Sequence, residues 1–101
     1  MLTAVCTGSM VLGFAGLLNG LHATTHWRSL NWMRDSFPSV TVEYEKHVVE
    51  DGRVFTSAGI SAGIDMALRV VARYCGENIA RATAKHIEYP YPDSNARRIQ
   101  L

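Results

Sequence analysis

Apolar and polar positions along the chain change period several times, and each change marks an element. Leu2 to Val5 is a short, largely apolar run that ends at Cys6-Thr7-Gly8-Ser9, after which Met10, Val11, Phe14, Leu17 and Leu18 recur at helical spacing. This predicts a strand, a sharp turn and a helix, with Asn19-Gly20 as the helix stop. Leu21 to Thr25 reads as a second short strand and Trp27 to Met33 as a short helix closed before Pro38. Val40 to Glu45 alternates as a half-exposed strand does, and Asp51-Gly52 between Val48-Val49 and Val54-Phe55 predicts a hairpin.

The longest helix is expected after Ala58-Gly59, with Ser61 as N-cap, an apolar stripe of Ile64, Ala67, Leu68, Val71, Ala72 and Cys75, and Gly76 as the stop. A last helix from about Glu77 to His86 places Ile79, Ala82, Thr83 and His86 on one side. Residues 89–101, opening on Tyr89-Pro90-Tyr91-Pro92, cannot continue it and should lie extended on a surface. Strands alternating with helices predict an α/β layer structure with the antiparallel hairpin beside a parallel part, in a single domain over residues 1–101 without a linker.

Composition narrows the class of partner. In 101 residues, 48% are hydrophobic and 19% charged, with a formal charge of +1, so neither disorder nor an electrostatic footprint for nucleic acid or an anionic membrane is expected. The stretch Met1 to Trp27 lacks Asp, Glu, Lys and Arg, but its glycines and the missing basic n-region favour a buried strand and helix over a span or a signal. Two cysteines are too few for a disulfide scaffold or a four-ligand zinc site, and a reducing, cytoplasmic setting is expected.

The candidate chemistry lies at the first turn. A thiol between a strand and a helix is held out from the backbone, Gly8 gives room for the bend, and the helix start favours thiolate over thiol. The Thr7 amide would face the negative charge that develops on an attacked carbon. Cys6 read alone is also compatible with a small buried hydrophobe, whereas Cys75 on its stripe is expected to be structural. His26, after Ala23-Thr24-Thr25 at a strand end, stands where parallel sheets place reactive groups, and could tune the thiolate or carry a proton. His22 and His26 would ligate a metal only if helical, and no metal or cofactor is expected. His47 and His86 read as exposed or half-buried residues without function. Glu43, Glu45, Glu50 and Asp51 read as a solvated surface, and Asp65 as a first-turn carboxylate favoured by its helix dipole.

Four segments together resemble the ThiJ/PfpI superfamily: Ala4 to Ser9, Ala15 to Gly20, Ala23 to Trp27 and Val54 to Asp65, in family order. The resemblance implies a flavodoxin-like doubly wound sheet of the class I glutamine amidotransferase type. It also implies Cys6, Thr7 and His26 as catalytic residues and Gly8, Thr25 and Gly59 as substrate-binding ones. Cys6-Thr7-Gly8 is most similar to the isonitrile hydratase branch and to sensor domains of related transcriptional regulators; a protease-like member has His in place of Thr7. The activity implied is addition of the Cys6 thiolate to an electrophilic carbon, with an isonitrile hydrated to an N-substituted formamide. The alternatives are a ligand-sensing module, a deglycase- or glyoxalase-like stress protein, and an inactive fragment. Members carry strands, helices and an acidic residue before the nucleophile, so the chain resembles the later half of such a domain. The expected partners are a small electrophilic substrate and a second copy in a homodimer.

Overall fold

The computed structural model describes residues 1–99. Its elements are β1 (Leu2–Val5), α1 (Gly8–Phe14), β2 (His22–Ala23), a 3-10 turn (Trp27–Ser29) running into α2 (Leu30–Ser36), β3 (Thr41–Val42), β4 (Val48–Asp51), β5 (Val54–Ser57), α3 (Ser61–Cys75) and α4 (Glu77–His86). β5 lies at the centre of a three-stranded sheet, parallel to β1 and antiparallel to β4 through the Asp51-Gly52 hairpin. β2 and β3 form a short parallel ladder of their own. The α/β architecture and the hairpin are as expected.

Alternation along β5 divides the core. Val54 packs on a cluster of Ala4, Leu12, Leu18, Met33 and Phe37 from β1, α1 and α2, whereas its neighbour Phe55 joins Val48 and Met66 under α3. Successive strand side chains point to opposite faces, so the sheet is covered on both sides. Phe55, Leu18, Leu30 and Met33 are fully buried, each contributing about 1.5–3 kcal/mol of transfer free energy.

Several boundaries differ from expectation, each for a local reason. α1 ends at Phe14, well before Asn19-Gly20, because Gly16 adopts φ +75° and closes a Schellman turn: its amide donates to Gly13 O (3.0 Å) and that of Leu17 to Leu12 O (3.0 Å). The second strand keeps only His22 and Ala23 in its ladder, since the Thr24 amide donates to the Thr56 hydroxyl (2.9 Å). The third is reduced to Thr41–Val42, the carbonyls of Tyr44 and Glu45 being taken by Arg97. The helix expected from Trp27 starts as a 3-10 turn, the His26 ring accepting from the Arg28 amide.

α3 begins at Ser61 but is capped by Ile60, and the Ser61 hydroxyl accepts instead from Arg98. Its buried face is Ala62, Asp65, Met66 and Leu68, so the expected stripe is rotated; Ile64 and Cys75 are exposed. In α4 the buried positions are Ala80 and Ala84 rather than Ile79 and His86, because small residues let α3 and α4 approach. Of the tail expected to lie extended over 89–101, residues 100 and 101 fall outside the described residues; within the rest, Ala96 bridges Lys46 in antiparallel fashion and the Asn95 amide side chain exchanges two bonds with Val48.

Candidate active site

The chain reverses at the carboxyl end of β1 with Cys6 at φ +56°, a left-handed conformation that a non-glycine residue holds at a cost of about 1–3 kcal/mol. Neighbours over-determine the bend. The Cys6 amide donates to Ser57 O (3.2 Å), and the Cys6 carbonyl accepts from the hydroxyls of Ser9 (3.1 Å) and Thr25 (2.9 Å). Ser9 and Thr25 are fully buried, and both bonds are partly screened from water. The result is a partly exposed cysteine on a strand-turn-helix elbow, with Thr7 at the N-cap of α1 and Gly8 opening it.

His26 leaves β2 at the same edge of the structure. Its Nδ1 accepts from the Arg28 amide (3.1 Å), which assigns the proton of the neutral ring to Nε2. The ring packs against Gly59: a Cβ there would stand 2.9 Å from His26 Cδ2, so a side chain at this position would push the imidazole aside. Thus Gly59 seats His26, and Thr25, its hydroxyl committed to Cys6, holds the elbow.

Three residues form a row across the sheet end. Cys6 and His47 flank Ala58, whose amide donates to His47 O (2.9 Å), and two strand spacings place Cys6 and His47 about 10 Å apart in backbone. Contrary to expectation, His47 is 5% exposed, and Asp65 is 2% exposed in the second turn of α3 rather than in its first. His47 Nε2 is in contact with Asp65 Oδ2 without hydrogen-bond alignment, and among the described residues neither ring nitrogen nor Asp65 Oδ1 has a hydrogen-bond partner. Burial depresses the His47 pKa, Asp65 working against it and Arg98 and Arg97 with it. Arg98 donates to Asp65 (2.7 Å), and also to Tyr89 (3.2 Å) and Ser61. Burial likewise raises the Tyr89 pKa, with the nearby Asp65 carboxylate acting in the same direction.

A cavity of about 390 Å³ opens beside this row, bounded by Trp27, His47, Gly59, Ile60, Arg98 and Ile99. A hollow of about 410 Å³ between Glu50, Arg69, Glu77 and Arg81 is a surface cleft of mutually paired charges, away from the carboxyl ends of β1 and β5. Among the described residues, no cluster of three His, Cys, Asp or Glu is placed to hold a metal ion, and no helix is long and apolar enough to cross a membrane. The sequence reading missed His47, Asp65 and the tail arginines. Their separations of 18 and 33 residues carry no local pattern, and the Arg97-Arg98 pair was the one visible hint.

A sheet covered on both faces, with a positive-φ cysteine in the strand-turn-helix that follows β1, defines a layered α/β protein. The model of the DJ-1/PfpI family matches residues 1–73, and the chain belongs to that family. It is 44% identical over 88 residues to isonitrile hydratase of Pseudomonas putida, covering 86% of this chain and 37% of that protein. It is 38% identical to the HTH-type transcriptional regulator GbdR of Pseudomonas aeruginosa, covering 87% of this chain and 24% of the regulator. Among solved structures, a ThiJ/PfpI family protein from Pseudomonas syringae superposes with a TM-score of 0.77 at 38% identity, over 92% of this chain and 38% of that one. A mutant of a DJ-1 superfamily protein from Salmonella typhimurium gives 0.75 at 28%, over 88% and 46%. The chain therefore spans 24–46% of the length of these relatives, and the flavodoxin-like fold expected from the sequence is the fold they share.

Proposed function

We propose that Cys6 is the nucleophile of a cysteine-dependent hydratase-type site that adds to an electrophilic carbon, with an isonitrile as the substrate type that the relative from Pseudomonas putida suggests. The observation that carries this reading is the Cys6 conformation: a strained φ of +56° buttressed by two buried hydroxyls serves no packing purpose for a half-exposed side chain. The deprotonated sulfur would attack the terminal carbon and form a C–S bond. A proton would be delivered to that carbon, giving a thioimidate. Water would then add to the same carbon and the C–S bond would break, returning the thiolate and releasing the N-substituted formamide. Neutral His26, with its proton on Nε2, is the proton carrier this chain offers, and the Thr7 amide is the donor for developing charge. Action in the cytoplasm as a homodimer on a small uncharged molecule belongs to the same proposal.

The experiment is incubation of the chain with an alkyl isonitrile and quantification of the formamide. Turnover that disappears in Cys6→Ser supports the reading; turnover unchanged in that variant overturns it. Similarity to several transcriptional regulators favours a second reading, ligand sensing without turnover. It predicts saturable ligand binding that Cys6→Ser leaves intact, and no formamide.

A further inference from the structure

We propose that tail residues 97–99 are the specificity-determining wall of the Cys6 site, and that the cavity they close receives an uncharged, apolar substituent of the electrophile. The inference rests on the Cys6 reading for the identity of the reacting group, but the wall itself is argued from separate observations. Cys6 does not itself line the cavity; the link between them is Ala58, which lies between Cys6 and His47 at the sheet end, with Gly59 packed on His26 and Trp27 next along the chain. Its opposite side is supplied by Arg97, Arg98 and Ile99, which lie beyond the last residue matched by the family model. The family core thus presents the cysteine, and a segment outside that core shapes the space beside it.

The tail is anchored well enough to act as a wall. The His47 amide donates to Asn95 O (2.9 Å), the Asn95 side chain donates to Val48 O (2.7 Å) and accepts from the Val48 amide (3.0 Å), and the Arg97 amide donates to Glu45 O (2.7 Å). The Arg97 guanidinium is committed to Tyr44 O (2.8 Å), Thr25 O and the Thr24 hydroxyl, and the terminal nitrogens of Arg98 to Asp65, Tyr89 and Ser61. Each terminal nitrogen of the two arginines that border the cavity therefore already has a protein oxygen as partner. A carboxylate entering here would lose its hydration against an apolar lining and would have to compete with protein oxygens for the two guanidiniums. By contrast, Trp27, Ile60 and Ile99 are 45%, 84% and 55% exposed, apolar surface that a ligand would cover. The cavity volume falls within the range of about 300–1,000 Å³ typical of small-molecule sites.

Benzamide and benzoate, a neutral and an anionic probe of nearly equal shape, test this on the full chain by titration followed through the Trp27 indole N–H resonance. Benzamide is expected to bind at least ten-fold more tightly than benzoate and to slow iodoacetamide labelling of Cys6 while leaving Cys75 unaffected. Ile99→Trp, at an exposed position, should weaken benzamide at least five-fold with an unchanged melting temperature. Equal or tighter binding of benzoate, or an Ile99→Trp chain that binds benzamide as the parent does, overturns the proposal. Titration of Cys6→Ser separates the two readings. Benzamide binding retained there, beside a parent Cys6 inert toward isonitriles, supports the wall and sinks the nucleophile. A reactive Cys6 whose labelling benzamide never slows does the reverse.

Discussion

The elbow at Cys6 and the buried cluster around Asp65 occupy the same end of the sheet and are built in opposite ways. At the elbow, Val5 to Ser9 are contiguous, and the strained backbone is satisfied by neutral hydrogen bonds to the Cys6 carbonyl. In the cluster, His47, Asp65 and Arg98 converge from the residue before β4, from α3 and from the tail, and three buried polar atoms have no hydrogen-bond partner among the described residues. Local order thus makes a site that is strained but saturated with hydrogen bonds, whereas long-range order makes one that is charged and incompletely satisfied. The first suits presentation of a reactive atom, and the second ties distant segments together.

Breaking the cluster should cost most. Asp65→Ala removes the anion that joins Arg98 to His47, and because Arg98 retains access to water the loss should fall near the lower end for a buried pair, about 3 kcal/mol. For a chain of this size that is a fall in Tm of roughly 10–20 °C, measurable by calorimetry. Cys6→Val places a β-branched residue in the left-handed region and should cost about 1–2 kcal/mol, whereas Cys6→Gly should stay within about 0.5 kcal/mol of the parent. Urea titration of the two variants separates conformational strain from lost side-chain contacts.

The cluster also has a pH signature. Burial holds the His47 pKa below its unfolded value, so between the two values the unfolded chain binds more protons and stability rises with pH. The contribution is complete above the unfolded value of about 6.5 and declines as the pH falls through that value toward the depressed folded one, by at most about 1.4 kcal/mol per pH unit. His47→Gln should flatten that acid limb in urea titrations run from pH 7 to pH 5, and an unchanged limb would exclude His47 as its source. The smallest effect belongs to Thr25→Val, which removes one of two hydroxyls on the Cys6 carbonyl, and about 1 kcal/mol is expected from the same titration.

The contrast explains what the sequence disclosed. The strand-turn-helix at Cys6, the Asp51-Gly52 hairpin and the bounds of α4 follow from residues within a few positions of one another, and all were legible. Three features were not, each because a distant group took a local bond: Arg97 captures the carbonyls that would have extended β3, Thr56 captures the Thr24 amide, and Arg98 takes the Ser61 hydroxyl expected to cap α3. The α3 stripe was misread for a related reason. A carboxylate lies on its buried face, which a hydrophobic pattern scores as solvent-facing, so Asp65 was assigned to the helix dipole instead of to His47 and Arg98.

The central claim is that the elbow makes Cys6 reactive, and the chain carries its own control. Cys75 is exposed at the end of α3, whereas Cys6 is only partly so, and access alone would therefore label Cys75 first. Timed iodoacetamide labelling at pH 6.5, resolved by peptide mass spectrometry, should show Cys6 modified several-fold faster than Cys75. Labelling of Cys75 at an equal or greater rate would contradict the account.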